Sequence, residues 1–196
     1  MVELLKDIDV KLLLAINGHN SRFFDGLMIF FSDKYVWLPF YVVVMGFMYK
    51  YYGKLSAIFI LVICLFVGIS DFSSTHFFKE VFERLRPCHN DYLKPYLHIL
   101  NCGGRYGFIS SHASNVTTFG TFCFFIFWKY NRVIVYTVLL WCLIVCYSRV
   151  YLAAHYPSDV FCGMILGVLL GFMGYRISHG LINRRLNKEL LSDNNS

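Results

Sequence analysis

The sequence predicts an all-α integral membrane helical bundle of about five transmembrane helices, preceded by N-terminal interfacial amphipathic helices. Three observations carry this. The 196-residue chain is 57% hydrophobic and 19% aromatic, with a mean hydropathy of +0.54. Only 15% of it is charged, against about 25% in a soluble domain. Apolar stretches near membrane length recur between short basic turns. One membrane domain over 1–196 is expected: interfacial helices over 1–33, a transmembrane core over 35–177 and a polar cytoplasmic tail over 178–196.

Residues 1–16 place Leu5, Ile8, Leu12 and Ile16 on one helical stripe, with Glu3, Lys6, Asp7 and Lys11 away from it. That is an amphipathic helix lying in the interface, not a span. These charges, with Asp9, also break any apolar core of a secretory signal. Residues 17–21 form a turn in which His19 is a turn residue and Asn20 or Ser21 caps the next helix. Residues 22–32 repeat the pattern, with Phe23, Leu27, Phe30 and Phe31 on one side. The first span runs from about Tyr35 to Tyr49, between Lys34 and Lys50, whose side chains can snorkel. The second starts near Leu55, and its helix continues through Asp71 to Leu85. Asp71, Thr75 and Lys79 share a face at four-residue spacing, with Asp71 expected as a buried structural partner. Residues 86–111 make the only long polar loop. The third span covers about Ala113 to Trp128, the fourth Val133 to Tyr147, and the fifth follows Pro157 and ends near Ile177. Within the fifth, Gly163, Gly167 and Gly171 form a flat stripe for close helix packing. The tail from Ser178 carries Arg184, Arg185 and Lys188 near the membrane.

Five spans put the termini on opposite sides. The turns at 50–54 and 129–132, and the tail, carry only basic residues near the membrane, which places them in the cytoplasm. The 86–111 loop, the 148–159 junction and the N-terminal helices then lie outside. Cys64, Cys123, Cys142, Cys146 and Cys162 sit in apolar runs as packing residues. Cys88 and Cys102 sit in the long loop. They are bridged if that loop faces an oxidising compartment and are two free thiols otherwise. The net charge of +6 is too diffuse to imply nucleic acid.

Three segments bring chemistry to the outer ends of apolar helices. Ser148-Arg149 through His155 to Asp159 lies where the fourth span ends and the fifth begins. Pro157 suits the first helical turn, so Asp159 stands one turn from His155. A carboxylate beside an imidazole fixes its tautomer and raises its basicity, and Arg149 offers a fork for phosphate oxygens. Lys79 and Arg86 lie two helical turns apart, with Pro87 stopping the helix. Ser110, Ser111 and His112 precede the third span, where free backbone N–H groups form an anion site. Each segment alone has a bland reading as a headgroup anchor, a cap or a snorkelling cation. Their placement on one side points to a shared anion-handling site.

These residues resemble the type 2 phosphatidic acid phosphatase family, whose sites are similar to those of vanadium haloperoxidases. Its three motifs are Lys, six residues, Arg-Pro; Pro-Ser-Gly-His; and Ser-Arg, five residues, His, three residues, Asp. The first matches Lys79, Arg86 and Pro87. The third matches Ser148, Arg149, His155 and Asp159. The second matches at Ser110 and His112, with Ile109 and Ser111 replacing the Pro and the Gly. The resemblance covers residues from about 20 to 178. It implies a phosphatase in which His155 attacks phosphorus to form a phosphohistidine, Asp159 orients His155, and a charged His112 protonates the leaving oxygen. Lys79, Arg86, Ser110, Ser111 and Arg149 would bind the phosphate. No cofactor or metal is implied, since Cys88 and His89 are only an adjacent pair.

A site at the outer interface suits a membrane lipid substrate drawn from the bilayer, with no obligate protein partner evident. The short, interfacial start resembles bacterial undecaprenyl diphosphate phosphatases, which makes undecaprenyl diphosphate the first expectation and the inner membrane, with the site facing the periplasm, the expected location. Lipid A, phosphatidylglycerophosphate and phosphatidate are the alternatives. A transporter would place its polar residues near the bilayer midplane, whereas here they gather at one face. A non-catalytic lipid-binding relative is disfavoured because every expected catalytic side chain is present.

Overall fold

The computed structural model describes residues 2–193. Among the described residues, seven α-helices of 11 residues or more follow one another: α1 (Val2–Gly18), α2 (Arg22–Ser32), α3 (Leu38–Tyr52), α4 (Ser56–Ser73), α5 (Ser111–Phe127), α6 (Arg132–Tyr151) and α7 (Pro157–Asp193). The breaks follow local chemistry. The Ser21 side chain accepts from the Phe24 N–H at the start of α2, and the Asn131 side chain accepts from the Val133 and Ile134 N–H groups at the start of α6. Gly53, at φ +53°, supplies the left-handed residue that lets α3 fold back on α4. Tyr52 packs on Phe59, while Tyr41 and Met45 share a cleft with Ile63 and Val67, so the two helices run antiparallel.

α5 is the innermost helix, packed between α4, α6 and α7, and its Phe119, Phe122, Cys123, Ile126 and Phe127 are buried. The glycine stripe of α7 lies against it. A Cβ built on Gly163, Gly167 or Gly171 would sit 2.6, 2.6 and 2.5 Å from the backbone carbonyl oxygens of Ser110, Ser114 and Thr118. The outward faces of the bundle carry exposed Val42, Val43, Leu61, Leu65, Leu140, Leu143, Val168 and Leu169. Such a belt on a folded chain belongs against lipid, and the protein is an integral membrane protein. Three helical stretches among the described residues are long and apolar enough to cross a bilayer: Leu38–Phe82, which holds the α3–α4 hairpin, Arg132–Tyr151 and Pro157–Asn187. Taken singly, α3 and α5, with 15 and 17 residues, rise only about 22 and 26 Å.

Two expectations are corrected. The helix expected to reach Leu85 ends at Phe82, after a π-helical stretch over Ser74–Lys79. Glu83 then adopts a left-handed conformation, φ 47°, and the chain leaves in extended form, pairing Leu85 with Tyr106. Lys79 and Arg86 therefore do not share a helical face. The face that α1 buries is not its apolar stripe. Asp9, Leu13 and Asn17 are buried, while Ile8 and Leu12 are exposed. Asn17 explains the preference, since its side chain donates to the His98 and Tyr151 carbonyls and accepts the His98 N–H. Past Ser178, α7 runs on to Asp193; residues 194–196, part of the expected tail, lie outside those described.

The stripe gives a direct expectation. Gly167→Ala should cost about 1–3 kcal/mol through overpacking against the Ser114 carbonyl. Unfolding in detergent, compared with Gly180→Ala, where the new methyl meets nothing, checks it.

Candidate active site

The three separated segments meet at one end of α5. A cavity of about 380 Å³ opens there, with Lys79, Arg86, Ser111, His112 and His155 in its wall, together with Ser32 and Lys34 from the end of α2 and just beyond it, and Asp71 and Asn115. Each polar side chain is held by a specific partner. The Ser110 hydroxyl caps α5, accepting from the Ala113 N–H. The Ser110 N–H donates to the Asp159 carbonyl at 3.0 Å, which ties the start of α5 to the start of α7.

His155 is 1% exposed. Its Nδ1 lies 2.9 Å from the Gly107 carbonyl, an acceptor only, so Nδ1 carries the proton and Nε2 is bare. Arg86 Nη1 donates toward that bare nitrogen at 3.2 Å. Asp159 Oδ2 stands 3.8 Å from Nδ1 and accepts the Tyr156 N–H at 3.0 Å. The tautomer expected from Asp159 is therefore set first by Gly107, with the carboxylate as an electrostatic neighbour. Arg86 also donates to the Tyr106 and Ala154 carbonyls. Its guanidinium passes so close to Gly103 and Gly107 that a Cβ on either would lie 3.2 or 3.0 Å from it or its stem.

Lys79 and Arg86 reach the same cavity from opposite sides of the break after Phe82. Lys79 Nζ donates to Ser111 Oγ at 2.5 Å, and Ser74 Oγ donates to the same oxygen at 2.8 Å. The residue replacing the family glycine thus anchors the lysine. Arg149 is 8% exposed and donates to Ser32 Oγ, placing its guanidinium behind the cavity wall, while its Nε has no hydrogen-bond partner. Ser110 is fully buried as a cap and is not part of the cavity lining. Asp71, expected inside the bundle, is exposed on the cavity rim, accepting from Asn115 Nδ2 at 3.0 Å. Cys88 and Cys102 are joined, with Cα atoms 6.1 Å apart. His89 lies within 4.8 Å of both sulfurs, but sulfurs bonded to each other offer no thiolate to a metal.

Lys79 and Arg86 share the cavity, with the Asp71 carboxylate at its rim. Burial, then Arg86, Arg149 and Lys79, push His155 well below its usual value.

Several participants went unread in the sequence. Gly107 holds the His155 ring, Ser32 holds Arg149, and Arg84 donates to Asp159 Oδ1 at 2.7 Å. Arg84 carried a signal, being the alternate residue before Arg86 on a segment that turns out extended. Gly107 and Ser32 carried none.

A helical membrane bundle that gathers imidazoles and cations in one buried pocket defines a membrane-embedded phosphatase. The comparisons agree: the PAP2 superfamily profile matches residues 53–182, and the chain belongs to that superfamily. It is 34% identical over 188 residues to the lipid A 4'-phosphatase of Bacteroides thetaiotaomicron, covering 94% of this chain and 83% of that one. It is 28% identical over 175 residues to the undecaprenyl-diphosphatase of Sulfolobus acidocaldarius, covering 86% and 78%. Its fold is similar to the crystal structure of a transmembrane PAP2-type phosphatidylglycerolphosphate phosphatase from Bacillus subtilis, with a TM-score of 0.72 and 21% identity over 90% of this chain and 87% of that one.

The depressed His155 imidazole fixes a pH dependence. Its folded-state value lies below the unfolded value, so the stability it contributes is present above about pH 6.5 and is lost as pH falls toward the folded value. The apo protein should lose thermal stability between pH 7 and 4, and inorganic phosphate should reduce that loss. Melting curves with and without phosphate measure both.

Proposed function

We propose that the protein is a phosphohistidine-forming phosphatase that removes a phosphate monoester from a glycolipid of the lipid A type at the extracytoplasmic face of the membrane. The observation that carries this is the placement of His155 and His112 in one buried cavity with Lys79 and Arg86. His155 Nε2 attacks phosphorus and the P–O bond to the lipid breaks. His112, charged once the phosphate is bound, gives its proton to the leaving oxygen. It then takes a proton from the water that cleaves the phosphohistidine. Arg86 transfers its N–H from Nε2 to a phosphate oxygen, and Lys79 and Arg149 share the equatorial charge. Ser110 acts through its cap and Ser111 through Lys79. Asp159 stabilises the charged His155 ring. No step is assigned to a metal.

The lipid's chain has a route. The polar cavity shares Tyr41, Val67 and Asn115 with an apolar cleft of about 290 Å³ that includes Leu38, Met45 and Ile63. A tail lying there leaves the headgroup at the cations. Five spans formed by α3 to α7 account for the lipid-facing belt, with the basic turns around Lys50, Lys54, Lys129 and Arg132 inside. The Cys88–Cys102 bond supports an oxidising outer side for the loop, as in a bacterial inner membrane facing the periplasm.

Lipid A is favoured over undecaprenyl diphosphate, the first expectation from sequence, on two grounds. The relative that carries the lipid A name is the more similar of the two named above. The Asp71 carboxylate and the unpartnered Asn115 Oδ1 accept hydrogen bonds, which suits sugar hydroxyl or amide donors and repels a second phosphate. The diphosphate remains the second reading because Lys34 also lines the cavity.

In detergent with EDTA, kcat/KM should be highest for lipid A among lipid A, undecaprenyl diphosphate, phosphatidylglycerophosphate and phosphatidate. His155→Ala should show no turnover; substantial residual hydrolysis would sink the covalent route. Asp71→Asn should shift kcat/KM toward the diphosphate by about tenfold, or about 1.4 kcal/mol, measured as the ratio for the two lipids.

A further inference from the structure

We propose that Asp9 and Arg84 are positioning residues for this reaction, so that the N-terminal helix is part of the catalytic apparatus; the inference rests on the phosphatase reading above. Asp9 lies on α1, outside the 53–182 segment that the superfamily profile matches. It is nonetheless only 5% exposed, and every bond it makes leads to the nucleophile's side of the site. Its Oδ1 accepts the Ser158 N–H at 2.8 Å, and its Oδ2 accepts the Ser158 hydroxyl at 2.5 Å and Arg84 Nη2 at 2.6 Å. Arg84 Nη1 reaches the other way, to Asp159 Oδ1 and Ser158 Oγ, both at 2.7 Å. The guanidinium is thus clamped between two carboxylates while lying over the Tyr156 ring, 4.1 Å from its centroid.

This geometry fixes three things at once. It holds the first turn of α7 from outside, because Asp9 binds the Ser158 backbone. It fixes the rotamer of Asp159, which is fully buried and lies beside His155. It also reaches the imidazole from behind, since the Arg84 carbonyl accepts the Gly107 N–H at 2.8 Å and the Gly107 carbonyl accepts from His155 Nδ1. Two paths therefore run from Arg84 to the same ring, one by side chain and one by backbone. Neither Asp9 nor Arg84 lines the cavity, so both act through His155 rather than on the phosphate.

Charge explains why two carboxylates are needed. A buried Asp159 facing only the phosphate cations would offset their charge. Arg84 takes up the Asp159 carboxylate on its outer side, and Asp9 balances the second half of that guanidinium. A planar fork can hold two such partners, whereas an ammonium cannot reproduce both contacts.

The test uses the full chain in detergent, with lipid phosphate turnover and vanadate binding as readouts. Asp9→Asn keeps the shape and loses the charge. Its kcat should fall about 10- to 100-fold through misplacement of the nucleophile, with KM within about twofold if no substrate contact is lost. Vanadate, which mimics five-coordinate phosphorus, should bind correspondingly more weakly, while inorganic phosphate binds as before. Asp9→Glu should recover part of the loss. Arg84→Lys should behave like Asp9→Asn and serves as the second variant if the first does not fold. Asp7→Asn, which alters only the exposed pair with Lys11, should match wild type. Wild-type kcat and vanadate affinity in Asp9→Asn, or in Arg84→Lys, overturn the proposal. So does a loss that only follows the fraction of folded protein. An active wild type with an indifferent Asp9→Asn overturns this inference alone. A wild type that neither turns over lipid phosphate nor binds vanadate overturns the phosphatase reading and this inference with it.

Discussion

The close approach of α5 and α7 is the constraint on which the site depends. Three glycines let one backbone lie against another where any side chain would collide with a carbonyl oxygen. Within a bilayer this contact draws on dispersion rather than on expulsion of water, so it needs surfaces that fit closely over several turns. Its upper end is where the chemistry begins. The Ser110 N–H reaches the Asp159 carbonyl at 3.0 Å, so His112 and His155 are brought together by helix starts locked to each other. The loop over 86–111 and the N-terminal helices are then laid over a scaffold that is already fixed.

Above that scaffold the electrostatics run against stability. Lys79, Arg86 and Arg149 converge with Asp71 alone, among the described residues, as a carboxylate on the cavity rim, and burial with these cations pushes the His155 imidazole below its usual value. Gathering like charges away from water is costly, and the surrounding bonds are what hold them in place. Arg86 is held by the Tyr106 and Ala154 carbonyls and Lys79 by Ser111. The cost of that assembly is recovered when a phosphate enters, and recovered most when its charge is greatest, as in a transition state.

Much of this was legible in the sequence. Hydropathy and the short basic turns mark the helices, and the four-residue glycine spacing marks a close-packing face on α7, whose partner α5 only the structure identifies. The polar residues at the helix ends mark the site, because charge at a membrane boundary is expensive enough to be informative. What was hidden has a common cause: it depends on backbone and on distant pairing. Gly107 acts through its carbonyl, which no side-chain pattern reports. The helix break at Glu83 arises from pairing with Tyr106 and Gly107 about twenty residues away, so helical spacing misplaced Arg86 relative to Lys79. Asp9 looked like one more charge on an amphipathic helix. Its burial follows from an arginine 75 residues further on, and the hydrophobic stripe drew attention to the opposite face. Asp71 was assigned from the nearest local rule, burial, and lies instead exposed on the cavity rim, whereas Ser110, expected at the phosphate, is taken up by capping α5.

The hydrogen bond from Arg86 to the bare nitrogen of His155 has a consequence for chemical selectivity. An imidazole with a free lone pair would react with many electrophiles that diffuse through a membrane. Here the lone pair is occupied at rest, and only a ligand able to draw the guanidinium away uncovers it. A neutral electrophile has no hold on Arg86 and meets a covered nitrogen. An anion carries its own means of uncovering, so that on the phosphohistidine reading proposed above the attacking atom becomes available in the same event that delivers the phosphate.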